Sequence, residues 1–330
     1  AVIWGWLPAT LWVVFGTIFF AGVHDFGAIW ASARNKGRSI GALTADVVGV
    51  RARSLFMIVI FLLLLMVNAV FAVAIARLFI AFPSSVLPAW SAIAVALVIG
   101  WLIYRRGVGL LWPSLVGVAI LYLMVGLGSS APIALPETAF GLGNNALWII
   151  LLFAYAGIAS LLPVWLLLQP RDYINGLQLF VGLGVVYSAV LIMQPEVVAP
   201  AFNDNLPAGT PPLLPLLFVT IACGAISGFH GLVGSGTTSK QLDKETDARF
   251  VGYFGSVGEG ALALAAIIAT TAGFATLADW EAVYTAFGQG SLTAFVNGGA
   301  AIVHGGLGLP LAFATTLLTV LAVLFAGTTM

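Results

Sequence analysis

Polarity along the chain alternates between apolar runs of about 20 residues, each long enough to cross a bilayer's hydrocarbon core, and short polar stretches. The runs cover 3–23, 55–82, 86–104, 108–127, 147–168, 177–193, 213–232, 250–277 and 308–326, which predicts nine spanning helices. A tenth stretch, 291–306, is shorter, carries Gly298, Gly299, His304, Gly305 and Gly306, and predicts a re-entrant or half helix. The pattern is that of an all-α integral membrane protein, a polytopic helix bundle forming one transmembrane domain over residues 1–330.

The polar stretches test that parse, because short cytoplasmic loops of membrane proteins collect Lys and Arg. Arg34, Lys36, Arg38, Arg51 and Arg53 fall in the first loop, Arg105 and Arg106 in the third, Arg171 in the fifth, and Lys240, Lys244 and Arg249 in the seventh. The loops 83–85, 128–145, 194–212 and 278–290 contain no Lys or Arg. Odd loops are therefore expected at the cytoplasmic face of a multi-pass plasma-membrane protein, the inner membrane in a bacterium. Arg77, within the second run near its outer end, is expected to snorkel to the interface.

Composition narrows the class further. Hydrophobic residues make up 61% of the chain and charged residues 7%, against about a quarter charged in soluble domains. The net charge of +0 offers no basic surface to nucleic acid, so the lipid bilayer is the macroscopic partner. The single cysteine, Cys223, excludes a disulfide framework or thiolate cluster, and His24, His230 and His304 lack the spacing of a zinc site. Gly234 to Lys240 lacks P-loop spacing, and Gly182 and Gly184 lack the third glycine of a dinucleotide fingerprint. No metal, no cofactor and no enzymatic activity are expected. The chain opens inside an apolar run with neither a basic leader nor an initiating Met and closes in another, so it is expected to be part of a longer protein.

Ionisable groups in hydrocarbon are costly unless paired or hydrated, and few are present. His24 and Asp25 close the first run, either as a proton-handling or gate pair or as a solvated helix end. Asn68 lies mid-span, as interhelical glue or as a ligand. Glu259 sits deep in the eighth run between Gly258 and Gly260, where a lone carboxyl needs a proton or a cation. Gly157, Ser160 and Pro163 predict a kink or break in the fifth run, followed by Gln169, Pro170, Arg171 and Asp172, a gate or a charged turn. Ser227 to Thr246, with Gly228, His230, Gly231, Gly234, Ser235, Gly236, Thr237 and Thr238, weakens the seventh run and gathers hydroxyls, carbonyls and an imidazole.

Several of these residues resemble one family. His24, Asp25, Phe26, Ser32, Arg34, Gly37 and Ser39; Arg51, Arg53, Leu55 and Phe56; Leu162 to Trp165 with Gln169 to Tyr173; and Gly228, Phe229, His230 with Ser235 to Thr238, Lys240 and Gln241 together look like the carbon starvation protein A family. The resemblance implies a bacterial inner-membrane transporter of peptides or, in other members, of pyruvate with protons, and a chain lacking a Gly-Pro-rich segment before Gly5 and an acidic continuation after Thr329. It also implies a core of inverted repeats, LeuT-like, with broken helices. In that scheme the run 147–168 is the broken sixth helix that lines the substrate path, and 213–232 is the eighth, beside the coupling-ion site.

The expectation is a proton symporter importing short peptides or small carboxylates such as pyruvate. Tyr155, Gly157, Ser160 and Gln169 would line the substrate path. Ser227, His230, Ser235, Thr237 and Thr238 would couple and gate, with Arg171 and Asp172 as gate residues. His230 is the proton carrier of choice, because imidazole titrates in the working range, and Asp25 and Glu259 are the carboxyl alternatives. A sodium-coupled carrier of the same fold and a non-transporting sensor or scaffold subunit are the alternatives.

Overall fold

In the computed structural model the described residues are 1–206, 208–226, 228–283 and 290–329. In chain order the helices are α1 (Trp6–Gly16), α2 (Gly22–Arg34), α3 (Ile40–Val47), α4 (Val50–Ala81), α5 (Val86–Arg106), α6 (Leu111–Ser130), α7 (Asn144–Leu161), α8 (Leu168–Met193), α9 (Leu213–Thr220), α10 (Ala222–Ala225), α11 (Gly228–Gly234), α12 (Asp247–Ala272), α13 (Leu277–Val283), α14 (Ser291–Leu307) and α15 (Leu311–Thr329). A π turn, Thr17–Ala21, joins α1 to α2 into one 29-residue helix. A two-stranded hairpin, Thr138–Ala139 with Leu142–Gly143, precedes α7.

Among the described residues seven helices are long and apolar enough to span a membrane: Trp6–Arg34, Val50–Ala81, Pro83–Arg106, Leu111–Ser130, Asn144–Leu161, Leu168–Met193 and Asp247–Ala272. Two of the nine predicted runs behave differently. The run 213–232 is divided among α9, α10 and α11. Leu214, which precedes Pro215, is held extended at φ −106° and ψ 133°, because proline disfavours the helical region for its predecessor. Gly224 and Gly228 weaken the helix further along the same run. The last run forms a shorter apolar helix, Leu311–Gly327. The stretch 291–306 is one uninterrupted helix, α14.

The fifth-to-sixth-run junction also shifts. Helix α7 continues through Gly157 and Ser160 and ends at Leu161, where Leu162 is extended ahead of Pro163. Helix α8 then begins at Leu168, with Pro170 in its first turn, a position whose N–H needs no intrahelical partner. Arg171 and Asp172, expected in a charged loop, are therefore helical.

The chain forms two compact units, Ala1–Leu65 with Glu196–Ser291, and Met66–Pro195 with Leu292–Met330. In the first, α12 lies along α2 and the π turn through small residues at four-residue spacing. A Cβ on Gly252 would stand 2.6 Å from the backbone N of Phe26, and one on Gly260 2.7 Å from Thr17 Oγ1. Small side chains at this spacing let two helix backbones approach closely. The predicted first and seventh loops meet here, through Ser32 Oγ with Ser239 Oγ at 2.7 Å and Arg34 Nε with Glu245 Oε1 at 2.5 Å.

The second unit packs around Ile75, Leu121, Ile174 and Leu317, all essentially buried. Leu321 of α15 seats on Gly182 of α8, and Thr316 Oγ1 donates to Ser84 Oγ at 2.8 Å. The third and fifth predicted loops meet, since Tyr104 Oη donates to Gln169 Oε1 at 3.0 Å and the Arg105 guanidinium lies 5.7 Å from the Trp165 ring. Each unit thus joins polar segments that loop charge assigns to one face.

Candidate functional site

The π turn in the first helix leads directly into the densest group of ionisable side chains in the first unit. Such turns interrupt the i→i−4 ladder and are frequent at functional sites. Asp25 follows one turn later, 4% exposed, inside a continuous helix. That position removes the solvated-helix-end reading. Its Oδ1 lies 2.9 Å from His24 Nδ1, and its Oδ2 lies 2.7 Å from His230 Nδ1 and accepts from Ser256 Oγ at 2.6 Å. His230 Nε2 is 2.8 Å from Glu259 Oε2. Cys223 Sγ sits 3.5 Å from the other oxygen of Glu259.

The chain His24, Asp25, His230, Glu259 is assembled from α2, α11 and α12. Gly231 allows it, because a Cβ there would be 2.5 Å from the His24 ring. Ser256 completes it from the small-residue face of α12, between Gly252 and Gly260. Carboxylates lie across the His230 ring from each other, one per nitrogen, rather than converging on a single point. The arrangement therefore suits protons. As imidazolium, His230 donates to both carboxylates; as neutral imidazole, it donates to one and accepts from the other once that carboxyl is protonated. One heavy-atom geometry accommodates both proton placements, as a relay requires.

The remaining predicted residues scatter. Ser235 is buried and holds the loop, accepting from the Ile40 N–H at 3.1 Å and donating to the Leu232 carbonyl at 3.2 Å. Thr237 is exposed and Thr238 half-buried at the start of a 3-10 turn. Ser227 lies outside the described residues. Gly157 and Ser160 occupy the exposed face of α7, where Ser160 Oγ donates to the Gly157 carbonyl. Tyr155 is half-buried and accepts from Arg171 Nη1 at 2.7 Å. Asp172 is on the exposed side of α8, and Gln169 is bonded to Tyr104. Sequence reasoning named Asp25, His230 and Glu259 separately, gave Ser32 and Ser239 no place in a site, and missed Ser256. The available signal for Ser256 was its place in the Gly252, Ser256, Gly260 spacing.

Comparison with known proteins bears on what this arrangement serves. The model of the carbon starvation protein CstA family matches residues 1–304. The chain belongs to that family. It is 38% identical over 80% of its length to a protein named peptide transporter CstA from Campylobacter jejuni, and covers 38% of it. It is 34% identical over 81% of its length to the pyruvate/proton symporter BtsT of Escherichia coli, again covering 38%. A Mycobacterium tuberculosis peptide transporter CstA is 35% identical over 80% of the chain, which covers 36% of that relative. The chain thus spans little more than a third of the length of these CstA-family relatives. No solved structure matches it. Family membership and seven apolar spans make it a multi-pass bacterial membrane protein.

Proposed function

We propose that this chain is the proton-handling part of a secondary active transporter, a symporter that imports short peptides or small carboxylates such as pyruvate. The observation that carries the reading is the Asp25–His230–Glu259 hydrogen-bonded chain, with 2.7 and 2.8 Å contacts on opposite nitrogens of one imidazole. Soluble and membrane proteins alike tolerate buried ionisable groups chiefly in pairs, but two carboxylates on one imidazole leave a net negative charge that an incoming proton neutralises. Relatives named as peptide transporters and as a pyruvate/proton symporter support the same reading. Sodium coupling through hydroxyls is less favoured, since Ser235 is committed to holding the Ile40 backbone.

The fold is read as an inverted-repeat, LeuT-like core, supported by the interrupted apolar stretch across α9 to α11 and the π turn at Thr17–Ala21. Interrupted helices are where such carriers expose backbone groups to their cargo. Within this scheme Tyr155 and Gln169 contribute to the substrate path, Gly157 and Ser160 flank it on the outer face of α7, and Ser227, Ser235, Thr237, Thr238 and Asp172 belong to the inner gate. Full-length protein reconstituted into vesicles, with an imposed proton gradient, tests it. Wild-type protein is expected to accumulate labelled pyruvate or dipeptide, and His230→Gln to lose gradient-driven accumulation while retaining counterflow exchange. Unaltered gradient-driven uptake by His230→Gln would refute the relay.

A further inference from the structure

The second unit contains a charge that the relay does not use. Arg171, in the first turn of α8, is 6% exposed. Its Nη1 donates to Tyr155 Oη at 2.7 Å, and its guanidinium carbon lies 5.4 Å from the Tyr155 ring centroid. Among the described residues its buried Nε has no hydrogen-bond partner and no carboxylate forms an ion pair with it. Sequence-adjacent Asp172 is on the exposed side of the helix.

Beside the guanidinium lies a cavity of about 30 Å³, lined by Phe79, Trp90, Leu152, Tyr155 and Leu324 as well as Arg171. That volume holds about two waters, close to the size of a carboxylate group. Trp90 packs edge-on against Tyr155, with ring centroids 5.8 Å apart, and fixes its orientation. A cation withdrawn from water into an apolar aromatic wall, with an N–H left over, is half of an interaction. The half that fits a planar fork of N–H donors is a carboxylate, held bidentately.

The geometry points to Arg171 as the anchor for a substrate carboxylate, the free acid of pyruvate or the C-terminus of a short peptide, with Tyr155 holding the guanidinium in position and Trp90 and Phe79 walling the site. This deepens the transport reading and rests on it for the identity of the ligand. A lysine would keep the charge and lose the fork, so Arg171→Lys should behave nearly as poorly as Arg171→Gln.

The test uses full-length protein, two readouts and matched probes: pyruvate against pyruvamide, and alanylalanine against its C-terminal amide. Ligand-induced thermal stabilisation reads binding, and gradient-driven uptake reads transport. Wild-type protein should bind the acids about 10- to 100-fold more tightly than the amides, and Arg171→Gln should lose that preference. An Arg171→Gln protein that still prefers the acid by the wild-type factor overturns the proposal. So does one that keeps the preference but melts lower without ligand, which assigns the guanidinium to an ion pair elsewhere in the longer protein. Should Arg171→Gln fail to fold, Gly327→Ala takes its place: its new Cβ would meet Arg171 Nη2 at 2.8 Å, displacing a flexible side-chain tip on a helix that alanine favours. A several-fold drop in acid preference is expected, and an unchanged one overturns the proposal. Wild-type protein that binds neither acid also overturns it, whereas binding without gradient-driven uptake refutes the symport reading alone.

Discussion

The two units treat buried charge in opposite ways. The first gathers Asp25, Glu259, His24 and His230 into one bonded chain, each group answered by another. The second buries the Arg171 guanidinium against Tyr155, and one turn and two turns further along the same face of α8 buries Asn175 and Gln178. Both amide atoms of Gln178 lack partners among the described residues. Burial of a polar group costs free energy that only a partner returns. A self-satisfied network can store and move protons with nothing added, while a buried guanidinium and amide with unpartnered atoms leave room for a group from outside to complete them. On the proposed reading, this difference separates a coupling role for the first unit from a recognition role for the second.

Four changes would break or sharpen that contrast, beginning with the strongest. Asp25→Ala removes the carboxylate shared by both imidazoles and is expected to lower gradient-driven uptake about 100-fold, on the scale of removing a positioned proton-transfer group. Vesicle uptake with and without a pH gradient measures it, and survival of coupling would reduce the network to a structural clamp. Gly252→Val forces a branched side chain onto the Phe26 backbone, which cannot yield as a side-chain tip can. It should destabilise the first unit by about 2–3 kcal/mol, seen as a lowered melting temperature in detergent.

Gln178→Leu is expected to act the other way. Replacing a buried amide without a hydrogen-bond partner among the described residues by an apolar chain of similar size should stabilise the protein by about 1–2 kcal/mol, measurable in the same melts. A destabilised variant would show that the amide has a partner in the full-length protein. The smallest effect is expected from Glu245→Gln. The Arg34 guanidinium hydrogen-bonded to Glu245 holds its carboxyl below the usual carboxylate range, so the pair contributes above the unfolded carboxylate pKa of about 4.3 and is lost as pH falls through the lower folded value. Because the carboxyl is exposed, melts at pH 7 in moderate salt should not separate this variant from wild type.

Most of the helical framework was legible in the sequence, since a bilayer demands about 20 apolar residues per crossing and the chain supplies them in separated runs. The failures were local and chemical. Window hydropathy placed Gln169 to Tyr173 in a loop because those residues are polar, yet Pro163 ends the preceding helix early and Pro170 suits a helix's first turn, so α8 starts at Leu168 and carries Arg171 inward. The run 213–232 looked like one helix because its composition is apolar throughout, and non-helical backbone at Leu214, Ile221 and Ile226 divides it.

The candidate site shows the same boundary. That Asp25, His230 and Glu259 are anomalous could be seen from their surroundings alone, because an ionisable side chain in an apolar run needs an explanation wherever it occurs. That they answer one another could not: Asp25 and His230 are 205 residues apart, and no periodicity links α2 to α11. The amino-acid sequence by itself determined a multi-pass helical membrane protein, the alternate loops in which its basic residues gather, and a short roster of ionisable residues in apolar surroundings. Tertiary packing decided which of them touch, since close approach of α12 to α2 at Gly252 and to the π turn at Gly260 brings Ser256 to Asp25, and α11 carries His230 between Asp25 and Glu259. The same kind of packing left Arg171 against the Tyr155 ring and beside an apolar cavity, withdrawn from water.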